Sequence, residues 1–174
     1  RIEYVVRAFG YKKTSWLIDQ GEISGNPKES QVWDQLETFF NTPISGKMIS
    51  YMAVDAGYET HRVDEFVKRF SGRAFSSMGE AKSIAGRWWY DRRPESDKKG
   101  KPKKSYGSSV IKMVNTNYFK SWLYDRYSRT DEHGRFYVYQ GIDEDYKKQI
   151  TAEARIPKKN NEYLWKVMGA NHKL

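Results

Sequence analysis

Alternating apolar and polar residues open the chain and predict a β-strand from Ile2 to Phe9. One face of that strand carries Ile2, Tyr4, Val6 and Ala8. A turn around residues 11–14 follows, and the segment from Trp16 to Ile18 predicts a second strand. The two strands are therefore expected to form a hairpin. Residues 21–27, which contain Gly, Ser, Asn and Pro, are expected to form a loop.

Apolar residues at helical spacing then predict two helices. The first, from Gln31 to Phe40, carries Val32, Leu36, Phe39 and Phe40 on one stripe, and Pro43 lies just beyond its end. The second begins at Thr60 and ends before Gly72. Its stripe consists of Val63, Phe66, Val67 and Phe70, at positions i, i+3, i+4 and i+7.

Further strands and one more helix are predicted in the rest of the chain. Further strands are predicted at residues 74–78, 110–114, 136–139 and 164–167, and a helix capped within 115–117 carries Phe119, Trp122, Leu123 and Tyr127. A hairpin followed by strand–helix–strand repeats predicts an α/β fold with a mixed sheet flanked by helices. A length of 174 residues is consistent with one domain spanning residues 1–174.

Asp55 stands at the end of an apolar strand, in the segment that runs from Lys47 to Tyr58. The carboxylate of Asp55 lies at the C-terminal end of this strand, directly before Ala56 and Gly57. The second predicted helix follows. A fixed acid in that position suits a metal-dependent nuclease. Asp-x-Gly after a strand is also ordinary turn chemistry, because Asp accepts hydrogen bonds from the following backbone. On this motif alone, the turn is the favoured interpretation.

Charge indicates an anionic partner, because 31 Lys and Arg residues outnumber 22 Asp and Glu residues and give a net charge of +9. The excess is concentrated between Arg87 and Lys104, where Trp88, Trp89 and Tyr90 precede the cations. Gly and Pro forbid a continuous helix there, so this basic segment is predicted to be a mobile loop that lies along phosphates. A lysine-rich loop that is merely solvated is the alternative.

Several other chemistries are absent from the sequence. The chain has no cysteine, so disulfides and thiolate metal sites are excluded, and any metal must be held by oxygen or histidine. The three histidines show no zinc-binding spacing, and neither a nucleotide-binding P-loop nor a G-x-S-x-G motif is present. No apolar run approaches the length of about 18 to 20 residues that a membrane span requires.

The segments from Ile2 to Gly10 and from Ser15 to Gly25, followed by Val54-Asp55-Ala56-Gly57-Tyr58, resemble the nuclease domain of the lambda-type phage terminase large subunit. Later segments extend the resemblance over most of the chain: residues 115–120, 151–153 and 171–174. The resemblance implies an RNase H-like fold and an endonuclease that cuts concatemeric viral DNA with Mg²⁺ or Mn²⁺ during packaging. By this resemblance, Asp55 is expected to be a catalytic metal ligand and not merely a turn residue.

The resemblance also implies two gaps. The first acid of the family precedes the position of Arg1 and its last acid follows Leu174, so Asp55 alone is carried over. A lysine and glycine usual after the next strand correspond here to Met78 and Gly79. Lys82 or Arg87 is a candidate replacement for that lysine. The predicted DNA-binding cations are Lys82, Arg87, Arg92, Arg93, Lys98, Lys99, Lys101, Lys103 and Lys104. Asp19 and Glu22 are further acids, interpreted as surface residues.

The partners expected from the resemblance are double-stranded DNA, the ATPase domain of the terminase, its small subunit and the portal, in the cytoplasm of the bacterial host. Two other functions stay open. One is a non-catalytic DNA-binding or packaging-adaptor domain, in which the basic segment and its aromatic residues hold DNA while Asp55 forms a turn. The other is a resolvase-like nuclease with the same fold, which would share Asp55 but prefer other DNA structures.

Overall fold

In the computed structural model of the protein, residues 1–80, 87–93, 109–157 and 163–168 are described. The chain divides into two compact units. The first comprises Arg1–Val6 and Gln20–Thr116, and the second comprises Arg7–Asp19 and Asn117–Leu174. A single domain over the whole chain stays a prediction.

The chain opens with the predicted hairpin. Strands β1 (Ile2–Phe9) and β2 (Ser15–Ile23) are neighbours in a three-stranded sheet, joined by a 3-10 helix at Tyr11–Lys13. Lys12 and Lys13 adopt positive φ angles of 49° and 62°, which reverse the chain direction within a few residues.

The first unit contains a four-stranded mixed sheet and two helices. Its elements are α1 (Ser30–Phe40), β3 (Met52–Asp55), α2 (Thr60–Arg69), β4 (Ala74–Glu80), β5 (Trp89–Arg92) and β6 (Ile111–Asn115). The strand order is β3-β4-β6-β5, in which β3, β4 and β6 are parallel and β5 is antiparallel to β6. This arrangement confirms the predicted α/β class with a mixed sheet.

The core of this unit is built from the predicted helical stripes. The buried side chains are Val32, Trp33, Leu36 and Phe40 of α1, Val63, Phe66 and Val67 of α2, and Ala74, Ile111 and Met113 of the sheet. Phe40 and Phe66 are completely buried. After α2 the chain turns into β4 through Gly72, whose φ of +84° is a conformation that favours glycine.

The described part of the second unit contains two helices, of 12 and 7 residues, and two pieces of sheet. Its elements are α3 (Thr116–Tyr127, which starts at the last residue of the first unit), β7 (Phe136–Tyr137), α4 (Glu144–Ile150), β8 (Glu153–Pro157) and β9 (Tyr163–Val167). β7 pairs in parallel with the start of β2, and β8 pairs antiparallel with β9. Leu17, Ile142 and Tyr146 form a small core.

Arg7 lies inside the second unit and ties β1 to β7. Its guanidinium group lies 3.4 Å from the centroid of the Phe136 ring. Nη2 donates hydrogen bonds to Ser15 Oγ at 3.1 Å and to the Tyr137 carbonyl oxygen at 3.0 Å. Burial lowers the pKa of Arg7 from its ordinary value.

Two predictions were wrong in part. Residues 21–23 belong to β2 rather than to a loop, because β2 continues as a strand to Ile23, whose side chain is buried in the core. The basic segment is not a loop throughout, because Trp89–Arg92 form the edge strand β5, held by pairing with β6. Two aromatic residues, which favour strands, followed by two charged residues suit such an edge. Helix α4 and strand β8 were not predicted.

Along the described ranges, no helix is both long and apolar enough to span a membrane.

Candidate active site

Asp55 ends strand β3, and its side chain is exposed at the carboxyl edge of the parallel strands. The Gly57 N–H donates a hydrogen bond of 3.1 Å to Asp55 Oδ1. Oδ1 therefore makes the hydrogen bond expected of an Asp-x-Gly turn, and the role of Asp55 as a metal ligand stays a prediction. In the described part of the chain, no hydrogen bond or ion pair is made by Oδ2. That oxygen is available to a ligand.

The backbone around Asp55 is fixed from both neighbouring elements. Ala56, which is completely buried, donates its N–H to the Ser77 carbonyl oxygen at 2.8 Å. Thr60 Oγ1 donates to the Ala56 carbonyl oxygen at 2.7 Å, which joins the turn to the first residue of α2. The Asp55 carboxylate therefore stands on a rigid strand-turn-helix connection, which is the kind of support that a preorganised site requires.

The pairing of the strands defines which residues share the face of Asp55. Asp55 lies opposite Ser77, Ser77 opposite Lys112, and Lys112 opposite Asp91. Because paired residues on neighbouring strands point to the same side of a sheet, these four side chains form a row across one face. We call this face the Asp55 face. The opposite face carries Ser76, Ile111 and Met113, which are buried against the core.

Lys112 occupies the middle of this row and was not predicted as a site residue. Its Nζ lies 2.8 Å from Asp91 Oδ1 and 4.3 Å from the centroid of the Trp89 ring. The ion pair is open to solvent, with 34% of the Lys112 side chain and 43% of the Asp91 side chain exposed. The signal in the sequence was a single lysine among Ile111, Met113 and Val114, which marks the outward position of an otherwise apolar strand.

Met78, at the position where the resemblance implies a lysine, lies on the other face of the sheet. It follows Ser77 in β4, is opposite Met113 of β6, and packs against the core. A longer cationic side chain there would start from the buried side, away from Asp55. A Cβ added to the neighbouring Gly79 would lie 2.7 Å from Thr116 Cγ2, so the space beside Thr116 favours glycine.

Only three of the predicted DNA-binding cations lie in the described residues: Arg87, Arg92 and Arg93. Lys82, Lys98, Lys99, Lys101, Lys103 and Lys104 lie outside them. Arg92 pairs with Ile111, so it points to the face opposite Asp55, where its Nη2 lies 3.5 Å from Met78 Sδ. Arg87 and Arg93 are exposed at the two ends of β5.

Two other acids of the first unit have partners of their own. Glu22, a surface residue as expected, accepts a hydrogen bond of 2.8 Å from Arg1 in an exposed ion pair. Glu80 Oε2 accepts a hydrogen bond of 2.8 Å from the Tyr90 hydroxyl, which raises the pKa of Tyr90. Within the described ranges, no three His, Asp or Glu side chains are grouped so as to hold a metal ion.

The chain belongs to the family of terminase large subunit gpA endonuclease domains, since the model of that family matches residues 1–174, the whole chain. Membership confirms the resemblance drawn from the segments around Ser15 and Asp55, and it indicates a DNA substrate and packaging machinery in general. Neither a curated protein nor a solved structure gives a significant match to the chain.

Proposed function

We propose that this domain is a metal-dependent endonuclease with an RNase H-like fold, which cuts concatemeric double-stranded DNA during viral packaging. The observation that carries the proposal is the position of Asp55, an exposed carboxylate at the end of a parallel strand with one oxygen fixed by Gly57 and the other available. The proposed setting is the host cytoplasm, together with the terminase ATPase domain, the small subunit and the portal.

The chemistry of Asp55 fits one ligand position of a hard divalent ion. Mg²⁺ and Mn²⁺ prefer oxygen ligands, and Mg²⁺ commonly takes one or two carboxylates together with water and a substrate phosphate. When bound, such an ion activates a water molecule and stabilises the charge that develops on the leaving oxygen. Asp55 would hold the ion at the sheet edge, and the Gly57 N–H would keep the carboxylate from rotating.

The proposed DNA contacts come from the cations of the basic segment. Arg87 and Arg93 are exposed on either side of β5, and Lys98, Lys99, Lys101, Lys103 and Lys104 follow in the sequence. Each lysine or arginine that neutralises a phosphate releases counterions, and this supplies affinity without reading base sequence. An enzyme that cuts long concatemers needs affinity of this kind along the duplex.

A non-catalytic DNA-binding domain is the second candidate, and one observation favours it. Trp88 and Trp89 are 50% and 48% exposed, so their rings offer surfaces on which unpaired bases stack. In that case the Asp55–Gly57 hydrogen bond is the only role of Asp55. A resolvase-like nuclease would share Asp55 but would cut branched DNA faster than linear duplex.

The test is the variant Asp55→Asn, assayed for nicking of supercoiled plasmid with Mn²⁺ in the full-length protein. Asn keeps the Oδ1 that accepts from Gly57, so the fold is retained while the charge that holds a cation is removed. An ion that supplies several kcal/mol to the transition state corresponds to a rate loss of about a hundredfold or more. Linear and branched substrates compared in parallel would separate the terminase from the resolvase-like alternative.

The matched control is Asp34→Asn, which makes the same change at an exposed residue of helix α1. This variant should nick at the rate of the unmodified protein. Thermal melting of both variants checks that the fold is intact. Full nicking by a folded Asp55→Asn variant would return Asp55 to the role of a turn residue and would favour the DNA-binding alternative.

A further inference from the structure

We propose that Lys112 binds a DNA phosphate a few positions along the strand from the one engaged at Asp55, and that it exchanges its partner Asp91 for that phosphate when DNA is present. This role rests on the proposed function and deepens it, because it names a second substrate contact on the Asp55 face. Strand pairing is the starting point, since it places Lys112 two strands from Asp55 in the same row.

The spacing of the row suits a DNA backbone. Neighbouring strands in a sheet lie about 4.8 Å apart, so the backbones of Asp55 and Lys112 are separated by about 10 Å. Each strand of a duplex carries one phosphate per 3.4 Å of helix axis, so that distance corresponds to about three phosphate steps along one strand. A DNA strand that passes Asp55 across the sheet therefore reaches the side chain of Lys112.

The Asp55 face is open along this row. Asp55 and Gly79 are exposed, Phe75 is 38% exposed and Trp89 is 48% exposed. Ser76 and Ile111 on the opposite face are 3% and 2% exposed. Judged by the described residues of these strands, the accessible side of the sheet is therefore the one that carries the proposed metal ligand.

The ion pair between Lys112 and Asp91 is one that a phosphate can replace. Ion pairs with both partners open to solvent contribute little to stability, so their exchange costs little. Trp89 holds the ammonium group near its ring, 4.3 Å from the ring centroid. Lysine is also disfavoured in strands, and β6 is an internal strand with a neighbour on each side. Lys112 is therefore at an unusual position for a lysine whose only role is to be exposed to solvent.

Charge gives a further reason for a cation at this position. The row holds two acids, Asp55 and Asp91, and one base, Lys112. A phosphate that approaches Asp55 meets a like charge, and a nearby ammonium group reduces the repulsion. Arg92 and the position of Met78 lie on the opposite face, so neither supplies this cation.

The experiment measures binding of a short duplex to the full-length protein with EDTA present, so that cutting plays no part. Lys112→Met should weaken binding about threefold to tenfold at 0.1 M salt and reduce the slope of log K against log salt by about 0.9. Lys112→Arg should keep both values near those of the unmodified protein. Lys28→Met, an equal change of charge at an exposed residue before α1, is the control and should change binding less.

Asp91→Asn provides an independent arm. Removing the competing carboxylate should tighten DNA binding, and the gain should largely disappear when Lys112→Met is also present. Unchanged affinity and salt slope in a folded Lys112→Met variant would overturn the inference, as would an equal gain from Asp91→Asn with and without Lys112. The result is separate from the proposed function, because the nicking rate of Asp55→Asn is measured without reference to Lys112.

A second readout places Lys112 at the reacting strand. If Lys112 holds a phosphate of the DNA strand engaged at Asp55, Lys112→Met should lower kcat/KM for Mn²⁺-dependent nicking by at least the factor by which it weakens binding. A variant that binds DNA less tightly but nicks with a normal kcat/KM would contradict a position beside Asp55.

Discussion

Ser109 donates its backbone N–H to Asp64 Oδ1 at 2.7 Å, and this hydrogen bond joins the residue that precedes β6 by two positions to the middle of helix α2. Asp64 is only 6% exposed, and its Oδ2 forms an ion pair of 2.7 Å with Lys68. A buried carboxylate thus fixes the start of β6, the strand that carries Lys112. The basic segment ends close to this anchor in the sequence.

We predict that Asp64→Ala lowers the free energy of unfolding by about 1 to 3 kcal/mol, because the Ser109 N–H is left without its acceptor in a part-buried position. The neighbouring Glu65→Ala is the matched control. Within the described ranges, Glu65 pairs at exposed positions only, with Arg62 and, when its imidazole is protonated, with His61, so its removal should cost about 0 to 1 kcal/mol. Urea denaturation of both variants measures the difference, and equal destabilisation would remove Asp64 from the role of anchor.

Local pattern was sufficient for the elements with strong periodicity. The stripes from Val32 to Phe40 and from Val63 to Phe70 predicted α1 and α2 almost to the residue. Helix α4 was missed because it has seven residues and buries only Tyr146. Strand β5 was missed because cations dominate the sequence around it, and its partner β6 begins 19 positions after Arg92.

The candidate site, like the fold, could be predicted only in part. Asp55 was predicted because its strand, turn and helix are consecutive in the sequence. Its relationship to Lys112 depends on two strand pairings, through Ser77 of β4, that no local pattern encodes. In the sequence Asp64 is only a polar position between Val63 and Glu65, because its partner Ser109 lies 45 residues away.

Tyr127, in the second unit, predicts a pH dependence of stability. Its ring packs edge-on against Phe136 at 4.9 Å between centroids, and burial raises the pKa of Tyr127 from 10.0 to about 12. In the unfolded chain the phenol ionises near pH 10, so above that pH the unfolded state binds fewer protons than the folded state. The stabilisation is present below about pH 10 and disappears as the pH rises towards 12.

We therefore expect the unmodified protein to lose more stability between pH 9 and pH 11.5 than Tyr127→Phe, which has no ionisable hydroxyl. Tyr58→Phe, at a residue that is 72% exposed, should respond to pH like the unmodified protein. Denaturant midpoints at the two pH values measure both differences. Identical pH responses of Tyr127→Phe and the unmodified protein would show that this phenol ionises alike in the folded and unfolded states.

The basic segment supplies the last prediction, which concerns affinity for DNA rather than stability. Replacing Lys98, Lys99, Lys101, Lys103 and Lys104 with Gln should weaken binding to all duplex sequences alike, because phosphate contacts carry no sequence information. The slope of log K against log salt should fall by about 0.9 for each phosphate that is no longer neutralised. A comparison of two unrelated duplexes over a range of salt concentrations measures both quantities.

In the Lys112→Met background the five replacements should weaken binding by the same further factor, because Lys112 binds its own phosphate. An unchanged slope after five replacements would make this segment a solvated surface or a protein contact, and Lys112 would then stand as an independent DNA contact.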